Sequence, residues 1–410
     1  MSKNTIDYSK LFSADLPAPA PRWVPFPKYY FIGGNNDPEQ IPVEGLIDAA
    51  AAVLRRDGSK LAIYNLGLGP QGYPGLRQFV ADKCAHQRGI KASIDDILIT
   101  TGSGQGLDMI SKLLVNPGDT VLTEEYCYQG AINRFRKLEA NLVGMQLDSD
   151  GIVIEALAGQ LADLNAQGIT PKFIYTIPTI QNPTASILPL DRRHALLGLA
   201  RKYNVAIFED ECYADLLWDG VEAPPALYAL DPGCVLHIGS FSKSLAPALR
   251  LGYLIAGWEI MSRLLPLKGD SGTGALDQMI VAEYFSRNFD HHVTNLNIIL
   301  REKLDAMTEA VSREFGSEAE CWVPKGGIFL WIKLPSDVDV RTLVKPAADA
   351  GIAFNPGPEW AVSPHNSSNC LRLCFAMPSK QTIREGVAEL ARVCYEQMGI
   401  PKRSGNIARA

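Results

Sequence analysis

Hydroxyl, lysine and arginine side chains follow an apolar run in IGSFSKSLAPALRLGYL, which spans residues 238–254. Lys243 stands directly after Ser242, with Ser240 shortly before it and Arg250 further along the same segment. A lysine amine that is held in place and has a lowered pKa is a nucleophile towards aldehydes. The two hydroxyls and the planar guanidinium suit a phosphate group. The segment therefore predicts a lysine nucleophile beside a phosphate site.

Other polar side chains follow apolar runs in the same way. Asp210 ends VAIFED and is followed shortly by Tyr213, while Asn182 comes before a proline after the run KFIYTIP. A carboxylate can pair with a protonated pyridine nitrogen, and this pairing makes the ring an electron sink. The tyrosine hydroxyl and the asparagine amide can donate hydrogen bonds to a phenolic oxygen on that ring. Together with the lysine segment, these residues indicate a site for a phosphorylated ring aldehyde.

A glycine-rich turn joins an apolar run to a helical pattern in ILITTGSGQGLDMI. Ser103 and Gly104 lie in this turn, where exposed backbone N–H groups and the helix dipole make an anion site. The glycines also resemble a dinucleotide fingerprint, with Glu124 near the place of a ribose-binding acid. However, the glycines are spaced as GxGxG rather than GxGxxG. The turn also begins at Gly102, about 100 residues into the chain. A nicotinamide-dependent dehydrogenase is therefore the weaker interpretation.

The elements that must position these residues alternate along the chain. β-branched runs and helical patterns succeed one another between residues 45 and 265, which predicts an α/β domain with a mostly parallel sheet. FLWIKL and CLRLCF come later between amphipathic helices and indicate a smaller α+β domain. The predicted parts are an N-terminal arm with a small-domain segment (1–44), a large domain (45–285), a C-terminal small domain (286–402) and a tail (403–410). The strand runs predicted for the large domain are 96–101, 120–125, 141–147, 172–178, 205–210, 234–240 and 252–257.

Composition excludes several classes of function. The formal net charge is −6, whereas nucleic-acid binding usually shows as a basic patch. No apolar stretch reaches the roughly 18 residues of a membrane span, and the polar, proline-rich start does not resemble a secretory signal. The eight cysteines are dispersed through apolar segments. This pattern favours reduced thiols in a cytoplasmic protein and predicts no metal site.

From about residue 31 onward the chain resembles the class I/II aminotransferases of fold type I, and within them the kynurenine/2-aminoadipate aminotransferase group. The motifs are Asn-Pro at 182–183, Asp-x-x-Tyr at 210–213 and Ser-x-Ser-Lys-x6-Arg at 240–250. The resemblance implies a pyridoxal 5′-phosphate enzyme with a seven-stranded, mostly parallel sheet. Its implied reaction moves an amino group from an L-amino acid to a 2-oxo acid, through an internal aldimine and pyridoxamine phosphate.

The resemblance also implies a role for each site residue. Lys243 would form the Schiff base and move the substrate α-proton, while Asp210 would pair with the pyridine nitrogen. Asn182 and Tyr213 would hold the phenolic oxygen, with Asn182 also near the substrate. The phosphate would be bound by Ser103, Gly104, Ser240, Ser242 and Arg250, and Tyr128 would stack on the face of the ring. Gly34 would lie near the substrate, and Arg372 would bind the substrate carboxylate.

Homodimers with active sites at the subunit interface are a further implication. In the family, a tyrosine reaches the phosphate of the neighbouring subunit. The candidate here is Tyr64, which stands three residues upstream of the family position.

The chain departs from the family pattern at several positions. Gly104 stands where the family usually has glutamine, Asn36 replaces a proline, and Asn297 replaces a common arginine. The stretch 269–277 differs from the usual Ser/Pro pattern at a substrate-facing position. Because the proton-transfer lysine is intact, these departures are expected to change the choice of substrate before the type of reaction.

Two alternatives use the same motifs. A lyase, cyclase or oxidase can be built on this scaffold, since the cofactor stabilises the same carbanion in each. The domain also occurs behind a winged-helix DNA-binding domain in transcriptional regulators. The acidic chain and the roughly 30 residues before the Gly-Gly segment at 33–34 argue against a regulator.

Overall fold

The structure is a computed structural model that describes residues 6–13, 16 and 18–401. The predicted tail (403–410) lies outside the described residues. The strands are β1 (Tyr29–Tyr30), β2 (Ile97–Thr101), β3 (Thr120–Glu124), β4 (Asn141–Met145), β5 (Leu147–Asp148), β6 (Gly151–Ile152), β7 (Phe173–Thr176), β8 (Ala206–Asp210), β9 (Val235–Ser240), β10 (Leu251–Ile255), β11 (Glu320–Cys321), β12 (Phe329–Lys333), β13 (Ile352–Ala353), β14 (Asn355–Pro356) and β15 (Cys370–Cys374).

The α-helices are α1 (Val43–Asp57), α2 (Pro74–Arg88), α3 (Ser103–Leu114), α4 (Gln129–Lys137), α5 (Ile154–Ala166), α6 (Leu190–Tyr203), α7 (Leu227–Leu230), α8 (Trp258–Leu264), α9 (Ala275–Phe315), α10 (Val344–Asp349) and α11 (Lys380–Met398). Among these described helices, none combines the length and the apolar character needed to cross a bilayer.

A seven-stranded sheet forms the centre of the larger part, in the order β2-β10-β9-β8-β7-β3-β4. All neighbouring pairs are parallel except those of β10, which runs antiparallel to both β2 and β9. The prediction of a mostly parallel seven-stranded sheet is therefore confirmed. Because β10 is reversed, its first residue, Leu251, lies opposite Thr101, the last residue of β2. One edge of the sheet thus collects the carboxyl ends of six parallel strands and the start of β10.

Both faces of this sheet are covered by helices, which is why its strands read as continuous apolar runs. β7 shows the alternation: Phe173 and Tyr175 point into one hydrophobic cluster, and Ile174 points into the other. Phe135 of α4 makes edge-to-face contacts with both Phe173 and Tyr175. The sheet edge is therefore held by buried packing on two sides, and the loops that leave it start from fixed positions.

A smaller antiparallel sheet, in the order β11-β12-β15-β14, belongs to the C-terminal part. The N-terminal segment joins it, since β1 pairs in parallel with β13 and the backbone N–H of Cys374 donates to the carbonyl of Phe31 at 2.8 Å. This contact brings the segment around residue 34 to the C-terminal part.

Helix α9 connects the two parts over 41 residues. Phe285 and Phe289 pack in a hydrophobic cluster of the large sheet, whereas Leu300 and Met307 pack in the cluster of the smaller sheet. The helix runs without a break across residue 285, where the sequence suggests a domain limit. The limits of the domains stay a prediction.

Candidate active site

A cavity of about 370 Å³ opens at the edge of the large sheet where the parallel strands end. Such an edge is where open α/β sheets bind ligands. Tyr64 does not line the cavity and has 86% of its surface exposed. All the other site residues predicted from the sequence do line it: Gly34, Ser103, Gly104, Tyr128, Asn182, Asp210, Tyr213, Ser240, Ser242, Lys243, Arg250 and Arg372.

Lys243 lies in the loop that follows β9, with its Nζ donating to the carbonyl oxygen of Gly34 at 2.8 Å. A Cβ atom at Gly34 would collide with this amine, so a larger residue there would push the end of the lysine side chain aside. Burial lowers the pKa of Lys243, and the guanidinium groups of Arg372 and Arg250 lower it further. The amine is thereby prepared to lose its proton and act as a nucleophile.

Asp210 ends β8 at the floor of the cavity and is only 5% exposed. Its carboxylate accepts hydrogen bonds from the Tyr175 hydroxyl at 2.7 Å and from the backbone N–H of Cys212 at 3.2 Å. Burial raises the pKa of this carboxyl. A protonated ring nitrogen in the cavity would supply the missing positive partner and favour the charged carboxylate.

Asn182 and Tyr213 meet at one wall of the cavity. The amide of Asn182 donates to the hydroxyl oxygen of Tyr213 at 3.2 Å, and its own oxygen accepts from Arg372 at 2.8 Å. The Tyr213 ring packs edge-to-face on Phe329 of the smaller sheet, with centroids 5.1 Å apart. The hydroxyl and the amide are therefore held side by side, where both can reach one phenolic oxygen.

Arg372 projects from β15 and is 2% exposed. Besides Asn182, it donates to the carbonyl of Gly33 at 3.0 Å and to the side chain of Asn355 at 2.9 Å. The guanidinium stacks on Trp360, with its central carbon 3.8 Å from the ring centroid. Its Nε is buried without a hydrogen-bond partner. A buried donor without a partner costs free energy, so the fork is suited to a bound carboxylate.

The opposite end of the cavity is an anion site. Helix α3 begins at Ser103, so the N–H groups of its first turn lack acceptors within the helix. Gly102 before it has φ +74°, and a Cβ there would come 2.5 Å from an Nη2 of Arg250. The Ser240 hydroxyl accepts a hydrogen bond from the backbone N–H of Ser242 at 3.1 Å, which fixes the start of the loop after β9. A phosphate suits this site because it would meet the positive end of the α3 dipole, the serine hydroxyls and the Arg250 guanidinium.

These residues fit pyridoxal phosphate. The anion site matches its phosphate, the buried Asp210 matches its ring nitrogen, and the Lys243 amine lines the same cavity as both and as the Arg372 fork. The glycines at 34 and 102 leave room that any side chain would fill.

Glu124, at the end of β3, is buried and hydrogen-bonded within the protein, whereas a ribose-binding acid would face the ligand. It is 2% exposed and accepts hydrogen bonds from the Thr176 hydroxyl at 2.6 Å, the backbone N–H of Ile177 at 3.2 Å and the Gln181 amide at 2.9 Å. Since Gln181 precedes Asn182, this carboxyl fixes the loop that carries a site residue. The dehydrogenase interpretation is wrong at this position because the acid is already engaged.

Stability should depend on pH through Glu124. Burial raises the pKa of its carboxyl to about 7 from the ordinary 4.5. The folded state therefore binds the proton more tightly, and the resulting stabilisation is complete below pH 4.5 and lost as the pH rises through 7. The difference in free energy of unfolding between wild type and Glu124→Gln should fall by roughly 3 kcal/mol across this window. Urea unfolding on both sides of the window measures it.

Glu155→Gln is the matched control, because Glu155 is exposed on α5. Its effect on the free energy of unfolding should be small, as expected for an exposed surface position. A pH-independent difference for Glu124→Gln would show that the carboxyl stays ionised throughout.

Sequence reasoning missed several residues that shape the site. One of them is Asn36. Its amide donates a hydrogen bond to the backbone carbonyl of Leu245 at 2.9 Å and thereby joins the N-terminal segment to the loop after β9, which carries Lys243. Asn355 and Trp360 hold the Arg372 fork. In the sequence, Asn36 stands out only as a departure from the family pattern. The hydrogen bond that a side chain makes to a distant backbone group cannot be inferred from its residue type.

A buried charge cluster beneath the cavity was also missed. Arg88 forms a fork–fork pair with Glu211 at 2.6 and 2.7 Å, and Arg193 lies 3.7 Å from the same carboxylate. Glu209, Glu211 and His237 stand close enough together to be considered as metal ligands. The two arginines already supply the positive charge there, so the cluster is a network of buried ion pairs.

Comparisons with known proteins agree with this geometry. The family model for aminotransferase class I and II matches residues 33–390. The chain is 34% identical to a 2-aminoadipate transaminase of Thermus thermophilus, over 88% of this chain and 89% of that protein. It is 32% identical to an aromatic-amino-acid aminotransferase of Thermococcus litoralis, over 89% and 88%.

A solved structure extends the comparison to the cofactor. The α-aminoadipate aminotransferase LysN of Thermus thermophilus, complexed with N-(5′-phosphopyridoxyl)-L-leucine, superimposes with a TM-score of 0.81 at 33% identity, covering 90% of this chain and 92% of that one. The predicted resemblance is confirmed. The chain belongs to the class I and II aminotransferases of fold type I and is a pyridoxal-phosphate-dependent aminotransferase.

Proposed function

We propose that Lys243 binds the cofactor covalently as a Schiff base and that Arg372 binds the α-carboxylate of the amino-acid substrate. The observation that carries this proposal is that both side chains reach one cavity, with Asp210 at its floor and an anion site at its end. An amino acid held by its carboxylate at Arg372 would present its α-carbon towards the lysine amine.

The side chains divide the work between them. Pyridoxal phosphate supplies an electron sink for the bond that breaks at the substrate α-carbon. Asp210 would keep a proton on the ring nitrogen of the bound cofactor, while Asn182 and Tyr213 would donate to its phenolic oxygen. Lys243 takes the proton from the substrate α-carbon, for which its lowered pKa is suited.

Transamination predicts a stoichiometric half-reaction. When the enzyme is mixed with an amino acid and no acceptor, the cofactor absorbance should convert once, pyridoxamine phosphate should form in proportion to the sites, and a 2-oxo acid should recover the starting spectrum. Stopped-flow absorbance with product analysis measures this. Continuous release of ammonia, peroxide or a side-chain fragment without an acceptor would instead indicate a lyase or an oxidase.

The relatives suggest which donors to test first. They include a 2-aminoadipate transaminase and an aromatic-amino-acid aminotransferase, whose names cover an acidic and an aromatic side chain. We propose that the donor belongs to this set and that the enzyme works in the cytoplasm. The free thiols of all eight cysteines support a reducing compartment.

A homodimer is the working unit that we propose. Tyr64 is 86% exposed on a loop that Asn65 and Leu66 strain with φ values of 52° and 56°. Strain at an exposed loop supports a role in contact with a second copy. Sedimentation at assay concentration should give twice the chain mass, and Tyr64→Phe should weaken cofactor binding if its hydroxyl reaches the neighbouring phosphate. A fully active monomer would contradict the proposal.

A further inference from the structure

Arg134 reaches the anion end of the cavity from a second helix. It lies on α4, six residues after Tyr128, and lines the same cavity as Ser103 and Gly104. A Cβ atom on Gly104 would stand 3.0 Å from the Nη2 of Arg134. The guanidinium therefore occupies the space beside the helix terminus that a side chain at position 104 would otherwise take.

Two contacts fix the orientation of this guanidinium. Its Nε donates to the carboxylate of Asp108 at 2.8 Å, and its Nη1 donates to the backbone carbonyl of Gly130 at 2.9 Å. The third nitrogen, Nη2, is the one that faces Gly104. Since Asp108 is on α3 and Gly130 is on α4, both helices hold the group in place. The Tyr128 side chain also contacts the guanidinium, and Nη2 faces the anion site beside Gly104.

The arrangement repeats that of Arg250 on the other side of the turn. A Cβ atom on Gly102 would meet the Nη2 of Arg250, just as one on Gly104 would meet the Nη2 of Arg134. Each of the two glycines around Ser103 thus leaves room for one guanidinium. Two planar, permanently charged forks on either side of a helix N-terminus form a stronger anion site than the helix and one arginine alone.

We propose that Arg134 is a second phosphate-binding arginine of the cofactor site, and that glycine at position 104 is what admits it. The inference rests on the proposed cofactor site. It accounts for the departure at Gly104, where the contact of a longer side chain is replaced by a guanidinium from α4. It also supplies positive charge from within the chain to a phosphate for which Tyr64 offers no contact in the same subunit.

Replacing Arg134 with glutamine tests the proposal through cofactor affinity. The dissociation constant of pyridoxal phosphate, measured by absorbance titration of the apoenzyme, should rise roughly 10- to 150-fold, the range for a lost charge-assisted hydrogen bond. The dissociation constant of pyridoxal, which has no phosphate, should stay unchanged. Lys137→Gln removes the same charge from an exposed position of α4 and should change neither constant.

Two further variants separate this role from a structural one. Asp108→Asn breaks the ion pair but keeps the guanidinium, so it should weaken pyridoxal phosphate binding much less than Arg134→Gln. Gly104→Ala should shift the guanidinium by a few tenths of an ångström, so it should weaken pyridoxal phosphate binding less than Arg134→Gln does and add little in the Arg134→Gln background.

The outcomes are distinguishable. Equal losses for pyridoxal and pyridoxal phosphate in Arg134→Gln, or additive losses in the double variant, would overturn the role of Arg134. A wild-type chain that binds neither compound would overturn the cofactor site itself and this inference with it.

Discussion

Replacing Lys243 with alanine is expected to lower kcat by at least roughly 10²- to 10⁴-fold, the range for loss of a positioned general acid–base group. The loss should be at the upper end, because the same amine is also the covalent attachment point. Reduction with borohydride should fix the cofactor on the peptide that contains Lys243 in wild type and leave it unattached in the variant. Mass spectrometry of the digested protein measures the site of attachment.

Lys243→Arg is not expected to restore activity, since a guanidinium does not lose its proton near neutral pH. Lys112→Ala, at an exposed position of α3, is the control and should keep both activity and labelling. Labelling of another lysine in wild type would show that the nucleophile has been assigned wrongly. The lowered pKa of Lys243 also predicts that kcat increases with pH as the amine becomes neutral.

Arg372→Lys is expected to weaken substrate binding roughly 10- to 150-fold, or about 1.5–3 kcal/mol, because the ammonium keeps the charge but cannot present a planar fork. The Kd of an unreactive α-methyl amino acid, read from the cofactor absorbance, measures this loss directly. Cofactor affinity should change far less, since the phosphate and ring nitrogen are held by other residues.

Lys333→Ala is the control for disturbance of the smaller sheet, because Lys333 pairs with Cys370 beside Arg372 and its own side chain is exposed. It should keep the substrate affinity of wild type. If Arg372→Lys lost the cofactor but kept the affinity for the amino acid, Arg372 would instead be a residue of the cofactor site through its contact with Asn182.

Much of the fold was predictable because the strands of the large sheet are buried on both faces. Their apolar runs are continuous, and chemically distinctive residues such as Asp210 and Lys243 follow at the carboxyl ends. Parallel strands bring such ends to one edge, so order along the chain was enough to place them together. The antiparallel direction of β10 was not predictable from its composition, although it is what sets Arg250 beside Gly102.

The supporting residues could not be predicted, for a different reason. Arg134, Asn36 and Trp360 act through contacts between elements that are distant in sequence, and their local patterns are those of ordinary helix or loop residues. The pair of Arg88 and Glu211 joins positions 123 residues apart. Only the packed structure shows that these charges are buried, and burial is what gives such contacts their effect.

Helix α9 affects how the protein unfolds. Its first half completes a hydrophobic cluster against the large sheet, and its second half completes the cluster of the smaller sheet. Fraying that starts near the middle would remove apolar partners from both clusters at once. The two parts are therefore expected to unfold together, because one helix completes the hydrophobic cluster of each.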